Sequence, residues 1–207
     1  MNTPVKPGEK LTFSATEAVR LLRSNLEFTL ADVAGCRVVG ITGALRGEGR
    51  TTTAVHLARS LAESGKKVLL LDADLRGGQA AARLGLPADK GLVQVLRGEM
   101  RPEDAVCSGG EERLYALAAG GTSDDPAAML DSPAMADLMN TLRERFDYIL
   151  MDLPPVTLVP DALSAARFTD GLLVVVRRTQ THRKQLEDAL RRLNGQRVKV
   201  LGFVLNG

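Results

Sequence analysis

A short run of residues near position 50 has the composition of a phosphate-binding loop. The segment "ITGALRGEGRTTTAVHLARSL" covers residues 41–61 and fits the pattern A-x-x-x-x-G-R-T. Gly47 and Gly49 would let backbone N–H groups turn toward phosphate oxygens. Thr51 and Thr52 would begin a helix whose N-terminus favours anions, with the Thr51 hydroxyl as a Mg²⁺ ligand. A glycine-rich turn that binds no ligand fits the same residues, and that alternative stays open at this point.

The run departs from the usual loop at position 50, where such loops place a lysine and this chain has Arg50. Lysine is a compact point charge, whereas arginine is longer, planar and donates hydrogen bonds in a fixed fork. We expect Arg50 to preserve the positive charge but to misplace the terminal phosphate for in-line transfer. Nucleotide binding is therefore predicted to survive better than catalysis.

Carboxylates follow two other apolar runs. Asp72 and Asp74 lie at the end of "KVLLLDAD", and Asp152 ends "YILMD" before two prolines that cannot extend a strand. In P-loop proteins an acidic residue of a neighbouring strand holds the Mg²⁺ between the terminal phosphates. Each aspartate alone could instead cap a turn or a helix. The carboxylates together with the loop predict a Mg²⁺ site, because carboxylate groups gathered in one place need a cation.

Apolar runs alternate with helical patterns along the chain, which predicts one α/β domain built on a doubly wound, mainly parallel sheet. The predicted strands are 37–42, 67–72, 113–120, 148–153, 171–176 and 198–206, and the predicted helices are 51–64, 91–97, 133–145, 160–167 and 181–194. Ligands of such sheets bind at the carboxyl ends of the strands. We expect residues 1–13 to be a flexible N-terminus and residues 14–207 to form the domain.

Composition and charge exclude several classes of protein. The 207 residues carry 27 Lys and Arg against 25 Asp and Glu, so the net charge of +2 gives no reason to expect a nucleic-acid partner. No run approaches the roughly 18 apolar residues that span a bilayer. Cys36 and Cys107 are interpreted as reduced thiols of a cytosolic protein. His56 and His182 lack companions at metal-ligand spacing, so neither is expected to bind a metal.

A helix is predicted near the N-terminus, at about residues 14–30. Ser14 and Glu17 fit the capping-box pattern S-x-x-E. The apolar positions at helical spacing form one stripe: Ala18, Leu22, Leu26 and Leu30. Arg20 and Arg23 lie away from that stripe, so we expect both to project outward, either as a solvated face or as a contact with another subunit.

The order of these motifs resembles the cytoplasmic domain of the bacterial tyrosine kinases (BY-kinases) that govern capsule and exopolysaccharide export. The resemblance runs through "GEGRTTTAVHLARSLAESGKKVLLLDADLRGG", "GLVQVLRGE", "GGTSDDPAAMLDSPAM", "FDYILMDLPPV" and "DALSAARFTDGLLVVVRRTQT". It covers nearly the whole chain. Two patterns indicate the kinase branch among the related cell-division and partitioning ATPases: the D-x-D-x-R that begins at Asp72 and the E-x-x-R-x-x-R that begins at Glu17.

The resemblance implies ATP or ADP and Mg²⁺ as cofactors and gives roles to the candidate residues. It makes the Walker A loop from Gly47, Glu48, Gly49, Arg50, Thr51 and Thr52. It places Asp72 and Asp152 on Mg²⁺ together with the Thr51 hydroxyl. One of Asp72 and Asp74 would accept the tyrosine proton, with Arg50 as the catalytic cation. By resemblance to the related ATPases, Asn206 would contact adenine.

The resemblance also implies partners. Glu17, Arg20 and Arg23 would pair between subunits of a homo-oligomeric ring. The cytoplasmic tail of a membrane polysaccharide co-polymerase would recruit the protein to the inner face of the membrane. BY-kinases of this kind usually carry a tyrosine-rich tail, whereas Tyr115 and Tyr148 are the only tyrosines here and both lie in predicted strands. We therefore expect no autophosphorylation of a tail in this chain.

Three functions remain open from the sequence. The first is a protein-tyrosine kinase domain, and the second is a nucleotide-binding pseudokinase that regulates export as a switch or scaffold. The third is a MinD/ParA-like ATPase that positions cargo. The D-x-D-x-R pattern and the absence of a terminal amphipathic helix for membrane binding disfavour that third function.

Overall fold

The structure is a computed structural model that describes residues 12–207. The strands of this part of the chain are β1 Arg37–Gly43, β2 Val68–Asp72, β3 Cys107–Ser108, β4 Leu114–Leu117, β5 Tyr148–Asp152, β6 Gly171–Arg177 and β7 Val200–Asn206. The helices are α1 Phe13–Thr29, α2 Arg50–Glu63, α3 Ala80–Arg83, α4 Leu92–Leu96, α5 Pro102–Ala105, α6 Pro126–Leu130, α7 Pro133–Arg143, α8 Asp161–Ala166 and α9 Arg183–Gly195. Strands and helices alternate, as the apolar runs predicted.

The strands form one sheet in the order β3-β4-β2-β5-β1-β6-β7. Every neighbouring pair is parallel except β3 and β4, which are antiparallel. The predicted doubly wound, mainly parallel sheet of a single domain is thus confirmed. The short elements β3, α3, α5 and α6 were not predicted, because each has at most five residues and lies within a longer segment between the predicted elements.

The sheet is covered on both faces. Every residue of β2 and β5 is buried, as expected for central strands of a parallel sheet between helical layers. One core cluster packs α1 and α2 against one face, and the other packs α4, α7, α8 and α9 against the opposite face. The carboxyl ends of β1, β2 and β5 are therefore fixed relative to one another by packing on both sides.

Helix α1 begins at Phe13, and its N-cap is Thr12. The Thr12 hydroxyl accepts a hydrogen bond from the Ala15 N–H at 3.3 Å. The predicted capping box of Ser14 and Glu17 is wrong, since the helix starts before Ser14 and the Glu17 carboxylate pairs with Arg20 at 2.7 Å. Several hydroxyl side chains near this point could each cap a helix, so the sequence alone did not fix the residue at which α1 begins.

The apolar stripe of α1 docks the helix onto α2 and the sheet. Leu26 and Leu30 are buried and Leu22 is partly buried against the same cluster, as predicted, but Ala18 is exposed. The first turns of α1 therefore stand clear of the core. Residues 1–11 lie outside the described part of the chain, so the predicted flexibility of residues 1–13 is not tested.

The two arginines of α1 differ in surroundings. Arg20 is exposed, as predicted. The expectation that Arg23 projects outward is wrong: its side chain is only 21% exposed, and its guanidinium donates a hydrogen bond to the Ser60 carbonyl of α2 at 2.8 Å. Arg23 therefore helps to dock α1 onto α2.

The two tyrosines lie in strands, as predicted. Tyr148 is buried in β5, and Tyr115 is partly buried in β4 with its ring 5.4 Å from that of Phe146. Among residues 12–207, no helix has the length and apolarity needed to span a membrane.

Candidate functional site

The loop between β1 and α2 takes the conformation that its glycines permit. Gly47 and Gly49 have φ values of 81° and 94°, a region that side chains disfavour, and Gly49 is the N-cap of α2. Gly43 has no room for a side chain, because an added Cβ would lie 2.2 Å from the Glu48 carboxylate. The glycine pattern thus shapes a tight loop around Glu48.

The Glu48 side chain is an internal support of this loop. It is fully buried, and its carboxylate accepts hydrogen bonds from the Leu45 N–H at 2.8 Å and the Thr181 hydroxyl at 2.5 Å. The structure therefore places the carboxylate of this predicted nucleotide-binding residue beneath the loop. Only its backbone N–H remains on the side that a phosphate could approach.

Residues from the ends of β6 and β7 hold the loop from outside through its carbonyl groups. The Arg177 guanidinium donates to the Gly47 carbonyl at 2.9 Å. The Gln180 amide donates to the Arg46 carbonyl at 2.8 Å, and the Asn206 amide donates to the Glu48 carbonyl at 2.9 Å. These contacts fix the direction of the peptide groups, because the carbonyls of residues 46–48 are all engaged by side chains from the β6 and β7 side.

The backbone N–H groups of residues 47–49 have no acceptor within the described part of the chain. Successive N–H groups that face one concavity, next to a helix N-terminus, form a favourable site for an anion. An oxyanion such as a phosphate would satisfy them. The local geometry therefore fits the prediction of a phosphate-binding loop.

A cavity of about 490 Å³ opens beside the loop. Its lining residues are Arg46, Gly47, Gly49, Arg50, Thr51, Thr52, Asp74, Arg76, Gly77, Gln79, Arg83, Asp152, Arg177 and Asn206. This volume lies within the range of ordinary small-ligand sites. Arginines outnumber acidic residues in the lining, so the cavity favours an anionic ligand.

Two aspartates end adjacent strands beneath the cavity. Asp72 and Asp152 are direct partners in the register of β2 and β5, and both are almost completely buried. Asp72 accepts hydrogen bonds from the Ala80 N–H at 2.8 Å and the Asp74 N–H at 3.3 Å, so its carboxylate is turned away from the cavity. Asp152 lines the cavity, and its Oδ1 atom has no hydrogen-bond partner among the described residues.

Burial dominates the acidity of both carboxyl groups. It raises the pKa of Asp72 to about 8, with the negative charge of Asp152 as the next cause. It raises the pKa of Asp152 to about 6, although Arg50 and the Thr51 hydroxyl act in the opposite direction. Without a bound cation, Asp72 therefore retains at neutral pH a proton that an exposed carboxyl group has lost, whereas Asp152 loses its proton at a higher pH than usual but below neutrality.

The Arg50 side chain reaches toward these carboxylates. One Nη atom donates to the Leu153 carbonyl just past β5, and the other lies 3.8 Å from the Asp74 carboxylate. Only 10% of the side chain is exposed. The guanidinium is thus engaged with the protein on the floor of the cavity.

A further ion pair holds the segment after β2. The Arg76 guanidinium contacts both carboxylate oxygens of Asp161 at 2.7 and 3.1 Å. Asp161 is fully buried at the start of α8. Since Asp74 accepts from the Arg76 N–H at 3.3 Å, this bidentate pair fixes the turn that carries Asp74 into the cavity.

The structure brings most of the predicted site together. The predicted residues on the cavity are Gly47, Gly49, Arg50, Thr51, Thr52, Asp74, Asp152 and Asn206, whereas the Asp72 and Glu48 side chains lie beneath it. The residues that were not predicted include Arg83, Gln180, Thr181 and Asp161. The last of these had a signal, because an aspartate directly after Pro160 is a common helix start; the others are side chains whose contacts depend on tertiary packing.

The donors at this site suit Mg²⁺. No cluster of at least three His, Cys, Asp or Glu side chains at metal-binding distance occurs among residues 12–207. Mg²⁺ is commonly held by one or two carboxylates completed by phosphate oxygens and water. The unpartnered Asp152 Oδ1 beside the Thr51 hydroxyl provides such oxygen donors.

The parallel sheet, the loop before α2 and the strand-end carboxylates define the P-loop NTPase fold class. A family model described as an AAA domain matches residues 36–194. Tyrosine-protein kinase YwqD of Bacillus subtilis (strain 168) is 35% identical over 192 residues, which are 93% of this chain and 81% of that relative. The chain belongs to the family of bacterial tyrosine-protein kinases.

Solved structures agree with this assignment. The kinase domain of Escherichia coli tyrosine kinase ETK has a TM-score of 0.89 and 30% identity, covering 94% of this chain and 76% of that chain. The septum site-determining protein MinD of Pyrococcus horikoshii, complexed with Mg-ADP, has a TM-score of 0.70 and 26% identity, covering 83% of this chain and 70% of that chain. The kinase fold and its relation to MinD were both predicted.

The raised pKa of Asp72 predicts how stability depends on pH. Between about pH 4 and pH 8 the unfolded chain loses this proton while the folded protein keeps it, so the free energy of unfolding falls as pH rises. The decline from this group is up to about 1.4 kcal/mol per pH unit. Asp72→Asn should flatten that part of the profile and raise the melting temperature at pH 8. Chemical denaturation across pH, with exposed Asp89→Asn as control, tests this; parallel profiles for Asp72→Asn and the wild type would contradict it.

Proposed function

We propose that the chain binds Mg·ATP in the cavity beside α2 and acts as the protein-tyrosine kinase domain of a capsule or exopolysaccharide export system. The observation that carries this proposal is the pairing of free N–H groups at residues 47–49 with the unpartnered Asp152 Oδ1 on one cavity. The first group suits phosphate and the second suits its counter-ion. Membership of the tyrosine-kinase family supports phosphoryl transfer as the activity.

In this proposal, different residues of the site bind the phosphate groups and the Mg²⁺ ion of the nucleotide. The loop N–H groups and the N-terminus of α2 hold the phosphate oxygens, while Thr51 and Asp152 hold Mg²⁺. Asp72 supports the metal site from beneath by its charge and by fixing the start of α3 through Ala80. When bound, Mg²⁺ neutralises the charge that develops on the phosphate oxygens. Asn206 borders the nucleoside end of the cavity.

Phosphoryl transfer would use Asp74 as the proton acceptor. The tyrosine oxygen attacks the terminal phosphorus, the bond from that phosphorus to the bridging oxygen breaks, and ADP leaves with that oxygen. The phenolic proton passes to a carboxylate. Asp74 lines the cavity and is partly exposed, whereas the Asp72 carboxylate already accepts two backbone N–H groups, so Asp74 is the better placed of the pair.

A second candidate function is a nucleotide-binding switch with little kinase activity. The observation in its favour is the Arg50 guanidinium, which is occupied by the Leu153 carbonyl and lies near Asp74. A cation held this way would not follow the terminal phosphate through the transition state. A MinD/ParA-like ATPase is the third candidate, and the Asp74–Arg76 turn that presents a carboxylate to the cavity favours the kinase over it.

For assembly, we propose that the exposed side of α1 joins neighbouring subunits into a ring. Glu17 and Arg20 form an exposed ion pair there, and the exposed apolar side chains Phe13, Leu21 and Phe28 lie on the same helix. Arg23 contributes by fixing α1 on α2. A cytoplasmic tail of a membrane polysaccharide co-polymerase would recruit this assembly to the inner face of the membrane.

Mg-dependent nucleotide binding should depend on the two proposed metal-holding residues. Thr51→Ala and Asp152→Asn should each weaken Mg·ADP binding by about tenfold or more, because each removes a metal-oxygen contact or the charge behind it. Binding measured by calorimetry without Mg²⁺ should change much less. Thr53→Ala, on the same helix but not part of the cavity lining, is the control. Unchanged Mg·ADP affinity in both variants would rule out this site.

Arg50→Lys should increase phosphoryl transfer by about tenfold or more, equivalent to about 1.4 kcal/mol of barrier, because a lysine is not held by the same fork-shaped contacts. The assay supplies a tyrosine-bearing peptide and the activating tail of the membrane partner, and measures phosphotyrosine by mass spectrometry. Arg50→Lys combined with Asp74→Asn is the inactive control. If Arg50→Lys binds ATP normally but gains no transfer, the switch function is favoured over the kinase.

Charge reversal on the exposed side of α1 should weaken assembly without unfolding the domain. We expect Arg20→Glu to lower the oligomer population in the presence of Mg·ATP, because it breaks an exposed pair and repels Glu17. The control is Arg183→Glu, which alters an exposed arginine of α9 paired one turn away with Glu187. Arg23 is unsuitable for this test, since its loss should cost about 1–2 kcal/mol of stability. Light scattering that shows equal assembly for Arg20→Glu and the wild type would argue against this face.

A further inference from the structure

Arg83 differs from Arg50, Arg76 and Arg177, which are three of the other arginines on the cavity. Its guanidinium Nε atom is buried and has no hydrogen-bond partner, and no ion pair of this side chain occurs within residues 12–207. In contrast, Arg76 is held by Asp161, Arg50 donates to the Leu153 carbonyl, and Arg177 donates to the Gly47 carbonyl. Because this nitrogen has no accessible surface, a ligand would meet the part of the Arg83 side chain that lines the cavity.

The position of Arg83 in the fold indicates which part of a ligand it meets. The sheet order places β2 on one side of β5 and β1, and places β6 and β7 on the other. Arg83 ends α3, directly after β2, whereas Asn206 ends β7, so the two lie on opposite sides of the cavity. If the nucleoside lies toward Asn206, the phosphate chain runs toward the β2 side.

Electrostatic effects agree with this placement. Burial raises the pKa of Asp152, and the positive charge of Arg83 offsets a small part of that rise. The pKa of buried His56 on α2 is lowered by burial, then by Arg59 and then by Arg83. Arg83 is therefore near both the end of β5 and the second turn of α2. That is the region where the last phosphate would lie, beyond the loop and next to Asp152.

We propose that Arg83 donates hydrogen bonds to the terminal phosphate of a bound nucleoside triphosphate and makes the cavity prefer triphosphate over diphosphate. This inference rests on the proposed nucleotide-binding function and assigns a residue that none of the motifs contains. It also supplies a positive charge for the terminal phosphate at a site where the Arg50 guanidinium is engaged elsewhere. A planar guanidinium with an unused donor suits an oxyanion of this kind.

The test compares affinities of Mg·ADP and of Mg²⁺ with a non-hydrolysable ATP analogue. Arg83→Gln should weaken binding of the triphosphate about 10- to 100-fold, the range for hydrogen bonds to charged groups, and should change Mg·ADP affinity much less. Arg83→Lys should recover part of the loss, because it restores the charge without the fork. Arg97→Gln, an exposed change of equal charge outside the cavity lining, is the control.

The outcomes separate this inference from the function on which it rests. If Arg83 has only a structural role, Arg83→Gln should lower the melting temperature of the ligand-free protein and weaken the binding of both nucleotides equally. The proposal instead predicts that the melting temperature of Arg83→Gln is unchanged or higher. If the wild type binds both nucleotides and Arg83→Gln leaves their affinity ratio unchanged, the inference is overturned and the nucleotide site stands. If the wild type binds neither nucleotide, the proposed function fails and the inference fails with it.

Discussion

The site depends on the burial of two carboxyl groups side by side at the ends of adjacent parallel strands. The register of β2 and β5 sets Asp72 directly beside Asp152, and helices on both faces exclude water from the pair. Burial is the main reason why the pKa of each group is raised, and the negative charge of Asp152 raises the pKa of Asp72 further. A divalent cation would offset the cost of burying these two carboxyl groups. The same pair that lowers the stability of the ligand-free protein would therefore strengthen the binding of a cation.

The two sides of the sheet contribute different parts of the site. The β6 and β7 side shapes the loop, because Arg177, Gln180 and Asn206 each hold a loop carbonyl while Glu48 fills the loop from within. The β2 side provides charge, through the turn of Asp74 that the ion pair between Arg76 and buried Asp161 supports. Backbone N–H groups are therefore set by contacts that involve no ligand, which preorganises the loop for an anion.

The sequence predicted the sheet, the loop and the strand-end aspartates because these follow from local pattern. Continuous apolar runs indicate buried strands, and glycines at 47 and 49 are needed where φ is positive. It failed where the outcome depends on packing between elements. The inward turn of Arg23 requires the Ser60 carbonyl at the end of α2, and the start of α1 at Phe13 depends on which of several hydroxyl residues caps it. Neither choice has a signature in the sequence, since charge alone predicts exposure.

Compared with the lysine that such loops usually have, Arg50 keeps the same charge but places it at a different point of the site. The long side chain lets the guanidinium reach past the loop and donate to the Leu153 carbonyl, next to Asp74. Its positive charge therefore partly neutralises the carboxylates at the floor of the cavity. The charge of Arg50 thereby offsets part of the rise that burial causes in the pKa of Asp152. In the proposed Mg·ATP complex, the cation and the Arg50 guanidinium would both be attracted to Asp152 and Asp74. The electrostatic effects of Arg50 and of a bound metal on these carboxylates would therefore be coupled.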